Sequence, residues 1–246
     1  MKVGNVLTKI LGHRGAMGYR PENTMSSFLK AIKLGANGIE FDVHLTKDNI
    51  PVVIHDGRVD RTTDRIGEVR EYNYNQIRQL EAGSWFSRDY YGERIPSLEE
   101  VLLLDVNEDF IFNIELKAGS IFYPEIEKIT TDLIYKYSLE KNVIISSFDH
   151  NALVRIKKIT PEIQTGALVS SLMYQPWDYL KKIKCEYYHP DYKTLEFEFI
   201  ENARENNILI NTYTVNNVID TKRLIDLNVN IIISNYPDLG ISLLNY

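Results

Sequence analysis

Short β-branched or apolar runs alternate with helical patterns almost to the end of this 246-residue chain. Such a rhythm predicts a parallel sheet. The runs with strand character number eight, and they cover residues 7–12, 38–43, 110–116, 143–148, 164–169, 185–192, 208–215 and 230–236.

A helical pattern follows each predicted strand, at residues 24–34, 98–104, 124–137, 151–159, 174–183, 194–205 and 217–227, with a short one near Leu239. The capping box formed by Ser97 and Glu100, Asn216 ahead of an amphipathic run, and the helix stop at Pro161 support these boundaries. Eight βα units favour an α/β fold of the TIM (β/α)8 barrel type, with the active site at the carboxyl ends of the strands. The length is compatible with one undivided domain, so we predict a single domain over residues 1–246.

One stretch after the second predicted strand interrupts the rhythm, because it is too long for a loop of the usual few residues. It begins with "LTKDNIPVVIHD", in which "KDN" indicates a tight hairpin turn. A hairpin symmetric about Asp48 and Asn49 would place Asp42 directly opposite His55.

The remainder of this stretch, residues 57–96, is predicted to be a small insertion that caps the mouth of the barrel. Its polar-aromatic sequence contains Trp85, Phe86, Tyr90 and Tyr91. We expect Trp85 and Phe86 to belong to a small core of the insertion itself, with substrate contact as the second choice.

Charge and cysteine content exclude some classes of function. The 28 basic and 34 acidic residues give a net charge of −6 and are interspersed, so no basic stripe is available for nucleic acid. The single cysteine, Cys185, lies among apolar and aromatic neighbours, which favours a buried strand thiol over a nucleophile.

No apolar run approaches the roughly 18 residues that a membrane span requires, so stable membrane insertion is not expected. The segment "MKVGNVLTKILG" is interrupted by Lys9 and lacks the small-residue pattern of a signal-peptide cleavage site. A cytoplasmic location is therefore the default expectation.

Acidic residues at strand positions indicate a metal site. Glu40 and Asp42 are two apart in a predicted strand, so their side chains point the same way. Glu115 is a further acidic residue in the next predicted barrel strand. Adjacent buried anions require a cation or a basic partner. Three carboxylates without a cysteine pair or histidine-rich spacing favour Mg²⁺ or Ca²⁺ over zinc, and Mn²⁺ is a further candidate.

Cationic and imidazole groups accompany these acids at the predicted strand ends: His13, Arg14, His55 and Lys117. Arginine and lysine can neutralise a phosphate ester, while two histidines can take up and release a proton near neutral pH. Together, the acidic, basic and imidazole side chains are typical of a site that cleaves phosphodiesters. An alternative for Arg14 is a structural network with Glu22 and Glu40.

Other polar groups are interpreted structurally. His44, His150 and His189 are not part of a carboxylate pair, and histidines of intermediate burial are common in protein interiors. Ser147 stands at a strand end but lacks the G-x-S-x-G nucleophile elbow, so we expect it to cap the next helix or to form hydrogen bonds near the site.

The segments "HRG", "PENT", "GIEFDV", "VVIHD", "FNIELK" and "SSF" occur in this order, with "GSWF" and "IPSLEEVL" around the insertion. The ordered set resembles the glycerophosphodiester phosphodiesterase family through nearly the whole chain. The resemblance implies a TIM barrel with a small insertion after the second strand. It also implies metal-dependent hydrolysis of small glycerophosphodiesters to sn-glycerol 3-phosphate and an alcohol, within glycerol and lipid metabolism.

Carried over to this sequence, the resemblance implies that Glu40, Asp42 and Glu115 bind the metal. It implies acid-base roles for His13 and His55, with His13 suggested as base and His55 as acid. The resemblance also implies that Arg14 and Lys117 contact phosphate. The nucleophile is either water or the neighbouring glycerol hydroxyl, and the sequence does not choose between them.

Two positions depart from the family pattern. Tyr213 stands where a tryptophan is frequent and is expected to contact substrate, and Ser234–Asn235 stands where an acidic residue is frequent. Both departures are expected to alter the pocket for the alcohol rather than the metal ligands.

Two other functions remain open from the sequence. A lysophospholipase D-type activity on lysolipids would need an apolar landing surface near the barrel mouth. A catalytically silent binder of a phosphorylated ligand would be expected to lose a metal carboxylate or a histidine, and this chain retains all five positions. The oligomeric state, monomer or homodimer, is also left open.

Overall fold

The structure is a computed structural model that describes residues 7–117 and 122–244. Within these residues the strands are β1 (Lys9–His13), β2 (Gly38–Leu45), β3 (Pro51–Val53), β4 (Ile111–Leu116), β5 (Val143–Ser147), β6 (Gln164–Val169), β7 (Tyr187–Pro190), β8 (Leu209–Thr212) and β9 (Ile231–Ser234). The helices are α1 (Met25–Lys33), α2 (Tyr74–Ile77), α3 (Leu98–Leu102), α4 (Ile126–Lys136), α5 (His150–Ile159), α6 (Trp177–Ile183), α7 (Phe197–Glu205), α8 (Val218–Asp226) and α9 (Pro237–Leu244).

The sheet closes into the predicted TIM barrel. Its strand order is β1-β9-β8-β7-β6-β5-β4-β2, and β1 pairs with β2 to complete the circle. All pairings among these eight strands are parallel. The additional strand, β3, runs antiparallel to the carboxyl-terminal part of β2. The fold class predicted from the alternating pattern is therefore confirmed.

The barrel interior is apolar at its amino-terminal end and polar at its carboxyl-terminal end. Buried residues Leu11, Ile144, Tyr187, Ile231 and Ile233 form one cluster, distinct from the larger core between the barrel and its helices. The next inward positions along these strands carry polar side chains, including His13, Ser146 and His189. The apolar layer closes the bottom, so polar groups face the open mouth.

The hairpin between β2 and β3 differs in register from the prediction by one residue. Val43 pairs with Val53, and the amide of Ile54 donates to the Asp42 carbonyl, so Ile54 rather than His55 lies opposite Asp42. The turn is asymmetric, because Asn49 has a φ of +60° and its amide donates to the Thr46 carbonyl. A left-handed residue after a tight turn adds one residue to one side of a hairpin.

The segment between β3 and α3 has its own small apolar cluster, formed by buried Val52, Ile54, Val59, Val69, Ile77, Leu80, Ala82 and Ile95. The prediction that Trp85 and Phe86 form this core is wrong, since they lie outside it and are 39% and 37% exposed. They pack edge-on against each other, and Phe86 also contacts Tyr90.

The local capping signals behave as expected, with one shift. Ser97 and Glu100 form the predicted capping box, and α5 ends at Ile159 before Pro161. Asn217, not Asn216, caps α8 by accepting from the amide of Asp220. The Asn216 side chain instead accepts from the amide of Asn235.

Cys185 is buried, and burial raises the pKa of its thiol to about 11, as suits a structural thiol. Among residues 7–117 and 122–244, no helix is long and apolar enough to cross a membrane.

Candidate active site

Three adjacent barrel strands bring the predicted acidic and imidazole side chains together. His13 in β1 is level with Glu40 in β2, and Asp42 is level with Glu115 in β4. Alternation along each strand points these side chains into the barrel, toward its carboxyl-terminal mouth. Lys117 follows β4 two positions after Glu115 and therefore points the same way.

Glu40, Asp42 and Glu115 form one compact buried cluster, with an oxygen of each within 4.8 Å of the others. The Lys117 Nζ lies 2.9 Å from Asp42 Oδ1 and 2.6 Å from Glu115 Oε1. Desolvation, together with repulsion from the other two acids, raises the pKa of Glu40 well above its usual value. Desolvation and the charge of Asp42 likewise raise the pKa of Glu115 to about 7. Burial and mutual repulsion therefore both disfavour the charged forms of Glu40 and Glu115.

Asp42 is the carboxylate that stays most acidic. Desolvation alone would raise its pKa, but Lys117 and Arg14 hold the pKa of Asp42 well below its usual value. The same acids act on Lys117: although desolvation favours its neutral form, Asp42 and Glu115 raise the pKa of Lys117 to about 12. Lys117 is thus a fixed cation at this site.

Arg14 lies across the other side of the acidic cluster. Its Nη1 donates to Glu22 Oε1 at 2.7 Å, and its Nε lies 3.4 Å from Asp42 Oδ2. Its backbone amide donates to Glu40 Oε2 at 3.1 Å. The structural network proposed for Arg14 therefore exists, and it also aims the guanidinium at the acidic cluster.

The loop after β1 is shaped to hold these contacts. Gly15 has a φ of +81°, and a Cβ there would lie 2.4 Å from Ser27 Oγ, so a side chain does not fit. Asn23 donates from Nδ2 to Asp42 Oδ2 at 2.8 Å, and Thr24 caps α1. In the motif "PENT", Glu22 thus forms an ion pair, Asn23 a hydrogen bond to a cluster acid, and Thr24 a helix cap.

The two predicted catalytic histidines are each oriented by one hydrogen bond at Nδ1. The Nδ1–H of His13 donates to Asn235 Oδ1 at 2.7 Å, which leaves Nε2 at 3.8 Å from Glu40 Oε2. Desolvation and the charge of Arg14 lower the pKa of His13 to about 4, so its ring is neutral at pH 7. A neutral imidazole with a free Nε2 lone pair can accept a proton.

His55 is paired with the next residue in the chain. Its Nδ1 lies 2.6 Å from Asp56 Oδ1, and its backbone carbonyl lies 3.0 Å from the Nε2 of His44. Among the described residues, none makes a hydrogen bond to Nε2 of His55. Burial lowers the pKa of His55, although Asp42 acts in the opposite direction. His44 is therefore a structural residue that fixes the backbone beneath His55.

A cavity of about 270 Å³ at the barrel mouth joins these groups. Its lining comprises His13, Arg14, Glu40, His55, Asn113, Glu115, Lys117, Ser146, Phe148, Leu168, His189, Tyr213, Thr214 and Ile233. All predicted site residues except Asp42, which lies directly behind Lys117, line this one cavity.

The wall opposite the carboxylates is apolar. The ring of Tyr213 packs edge-on against Phe148 at 6.4 Å between centroids, and its hydroxyl donates to the Val169 carbonyl at 2.8 Å. Because its hydroxyl is already engaged, Tyr213 presents an aromatic ring to the cavity, as the tryptophan frequent at this position would.

The donor set fits a hard divalent cation. Each acid supplies an oxygen, and these three oxygens lie within 4.8 Å of one another. Two ligands on opposite sides of a Ca²⁺-sized ion, at about 2.3–2.6 Å from it, would be separated by a similar distance. Burial, followed by repulsion between the acids, raises the pKa values of Glu40 and Glu115, and a cation between them would oppose this shift. Oxygen-only ligands favour Mg²⁺, Ca²⁺ or Mn²⁺ over zinc.

Several polar contacts of the site are not predicted by the sequence. Asp56 and Asn235 orient the two histidines, Asn23 binds Asp42, and Arg61 binds both Asp56 and Glu22. The motif "PENT" and the acid directly after His55 were visible signals for two of these residues, Asn23 and Asp56. Asn235 was expected to affect the alcohol side, but it contacts His13 instead, since β9 is next to β1 in the barrel.

A sequence profile of the glycerophosphoryl diester phosphodiesterase family matches residues 13–239. A glycerophosphodiester phosphodiesterase of Caldanaerobacter subterraneus is 40% identical over 236 residues, covering 96% of this chain and 97% of that protein. One from Bacillus altitudinis is 37% identical over 240 residues, covering 96% and 98%. The solved structure of an Oleispira antarctica phosphodiesterase, in complex with the product sn-glycerol-3-phosphate, superposes with a TM-score of 0.91 at 28% identity and 98% coverage of both chains.

Proposed function

The chain belongs to the glycerophosphoryl diester phosphodiesterase family, and from this premise we propose how its residues perform the reaction. As an enzyme of this family it is a phosphoric diester hydrolase that acts on glycerophosphodiesters. The proposal is that it releases sn-glycerol 3-phosphate and an alcohol, that it depends on a divalent metal ion, and that two histidines transfer the protons.

Glu40, Asp42 and Glu115 would hold the metal ion, because they form the compact oxygen cluster described above. A bound divalent ion polarises a phosphoryl oxygen and stabilises the charge that develops on it. Arg14 and Lys117 lie against the same cluster and supply positive charge to the remaining phosphate oxygens.

His13 acts as the general base in this proposal. Its neutral ring, held at Nδ1 by Asn235, accepts at Nε2 the proton of the attacking hydroxyl. That hydroxyl belongs either to water or to the neighbouring glycerol carbon. The new P–O bond forms as the bond to the alcohol breaks, and in the second case a cyclic phosphate is then opened by water.

His55 acts as the general acid and gives its proton to the departing alcohol oxygen. Its Nδ1 is held by Asp56, and this hydrogen bond opposes the lowering of the His55 pKa by burial, in favour of the protonated ring that this role requires. After the reaction the proton taken up by His13 balances the proton that His55 released.

The observation that carries the proposal is that three carboxylates able to share one ion and two separately oriented histidines line or adjoin the same cavity. A catalytically silent binder would not require this complete set.

Two experiments test the proposal. Release of glycerol 3-phosphate from several glycerophosphodiesters is measured after chelation and after stepwise return of Mg²⁺, Ca²⁺ or Mn²⁺; activity that survives chelation would contradict the metal requirement. His13→Ala and His55→Ala are compared on a substrate whose alcohol needs no protonation. Only the His55 variant should be rescued, and rescue of both or neither would defeat the assignment of base and acid.

Lysolipid hydrolysis is a second candidate activity, favoured by an apolar rim on one side of the mouth. We define this rim as Phe148, Leu172, Tyr174, Phe197 and Ile219, which are all exposed, with Tyr174 at 88% and Ile219 at 82%. Each follows one of the strands β5 to β8 or begins the next helix, so all lie on the cavity side of neighbouring strands. An acyl chain could lie against this rim while the phosphate occupies the cavity.

Turnover of glycerophosphocholine is compared with that of lysophosphatidylcholine. Replacing Leu172 and Tyr174 with serine should reduce only the lysolipid rate. Leu103→Ser is the matched control, because Leu103 is also exposed but lies at the carboxyl end of α3, away from the mouth. Absence of lysolipid turnover, or equal loss in the control, would remove this candidate.

A further inference from the structure

Arg61, in the segment between β3 and α3, connects two acids from different parts of the site. Its Nε donates to Asp56 Oδ2 at 2.7 Å. Its Nη1 and Nη2 donate to Glu22 Oε2 and Oε1, both at 2.8 Å. Three donors of one planar group are therefore used at once, which only a guanidinium can provide.

Both acids that Arg61 binds act on the site. Asp56 holds Nδ1 of His55 at 2.6 Å, and Glu22 holds Nη1 of Arg14 at 2.7 Å. Glu22 is almost fully buried, at 6% exposure, so its position is fixed by the surrounding loop. Asp56 is more exposed, at 35% of its side chain, and within the described part of the chain its carboxylate makes hydrogen bonds to the side chains of His55 and Arg61.

The charge of Asp56 also depends on these contacts. Desolvation would raise its pKa, but the hydrogen bonds from Arg61 and His55 lower the pKa of Asp56 to about 2. Asp56 thus stays an acceptor throughout the pH range in which His55 titrates. An acceptor at Nδ1 fixes the ring orientation and leaves Nε2 as the nitrogen that exchanges a proton with substrate.

We propose that Arg61 is a positioning residue for leaving-group protonation: by clamping Asp56 to the buried Glu22, it holds the His55 ring with Nε2 directed to the departing alcohol. This inference rests on the proposed role of His55 as the acid. Arg61 itself is not among the residues that line the cavity, and its side-chain hydrogen bonds go to Asp56 and Glu22.

A merely structural role for Arg61, as a tie between the insertion and the loop after β1, makes a different prediction. Loss of such a tie would disturb Arg14 and His55 together and would slow every substrate. Loss of positioning at His55 alone would slow only substrates whose alcohol must be protonated as it leaves.

The test compares two substrates: glycerophosphoethanolamine, with an aliphatic alcohol, and the p-nitrophenyl ester of glycerol 3-phosphate, whose leaving group needs no proton. Arg61→Gln and Arg61→Lys should lower kcat for the aliphatic substrate by on the order of tenfold to a hundredfold, with KM nearly unchanged. The aryl ester should lose less than about threefold, because general acid catalysis contributes little to its departure.

Arg65→Gln is the matched control, since Arg65 is exposed and reaches only Asp64, at 4.0 Å. It should leave both rates unchanged. Asp56→Asn keeps most of the side-chain volume and leaves the contact between Arg61 and Glu22 available. It should show the same leaving-group pattern as Arg61→Gln, so the inference stays testable if the Arg61 variants do not fold.

The outcomes separate the two proposals. If His55→Ala spares the aryl ester but Arg61→Gln and Asp56→Asn slow both substrates equally, the positioning role is overturned and the acid role of His55 stands. If His55→Ala slows both substrates equally, the acid role fails and the inference fails with it.

Discussion

Lys117 provides a test of whether the acidic cluster holds an ion. Its Nζ contacts both Asp42 and Glu115, at 2.9 and 2.6 Å, and its side chain is 15% exposed. Removing one partner of a buried ion pair costs about 3–5 kcal/mol. Glu115 already has a pKa of about 7, so proton uptake offsets part of this cost. We therefore expect Lys117→Met to lower the free energy of unfolding by about 3 kcal/mol at pH 7 in a chelator.

A divalent ion should reverse this loss, because it would supply the missing positive charge to the same oxygens. A ligand at 100 times its dissociation constant stabilises a fold by about 2.7 kcal/mol. Removing Lys117 also removes a competing cation, so the increase on adding Mg²⁺, Ca²⁺ or Mn²⁺ should be larger in the variant than in the wild type. Urea unfolding with and without each metal measures both effects.

Two controls make this experiment decisive. Lys128→Met removes an exposed lysine that pairs with Asp132 on α4, and it should change neither stability nor its response to metal. Adding Glu115→Gln to Lys117→Met should restore stability in chelator and abolish the extra response to metal. Equal metal responses in the wild type and Lys117→Met would refute the claim that the three carboxylates share one ion.

Three other substitutions test separate parts of the structure. Gly15→Ala should lower the free energy of unfolding by about 1–3 kcal/mol, because residue 15 has a φ of +81° and lacks room for a Cβ; an unchanged urea midpoint would contradict this. Burial holds the pKa of His189 at about 3, below the unfolded value of 6.5, so its contribution to stability is present above pH 6.5 and is lost as the pH falls toward 3. Lowering the pH from 7 to 5 should therefore reduce the free energy of unfolding of the wild type by about 2 kcal/mol more than that of His189→Gln. Equal losses in urea unfolding would contradict a lowered pKa of His189. Asn235→Asp should raise the pKa of His13 and shift the acidic limb of kcat/KM to higher pH by about one unit; a limb that stays in place would show that residue 235 does not set the basicity of His13.

The sequence predicts the barrel and its acidic cluster because both follow from short-range periodicity. Alternation along β2 and β4 determines that Glu40, Asp42 and Glu115 point inward, and parallel neighbours place them at one end. The helix boundaries move by up to three residues, as at α6, which begins at Trp177 rather than at residue 174. Side-chain caps and prolines decide these ends within one turn of the helix.

Contacts between residues far apart in the sequence cannot be predicted from short-range periodicity. Arg61 and Glu22 are 39 residues apart, and no local pattern indicates that they meet. The one-residue error at Asp42 arose because the left-handed Asn49 makes the hairpin turn asymmetric. The sequence does not indicate that the core of the insertion consists mainly of aliphatic residues and leaves Trp85 and Phe86 outside it.

The hydrogen bond between His13 and Asn235 joins residues 222 positions apart, one at the end of the first strand and the other directly after the last strand of the barrel. A ribosome therefore completes almost the whole polypeptide before the partner that orients His13 exists. Contacts of such long sequence separation form late and slowly in folding. The proposed role of His13 as the base therefore predicts that nascent chains are inactive toward glycerophosphodiesters until β9 docks beside β1, so that activity would begin with closure of the barrel.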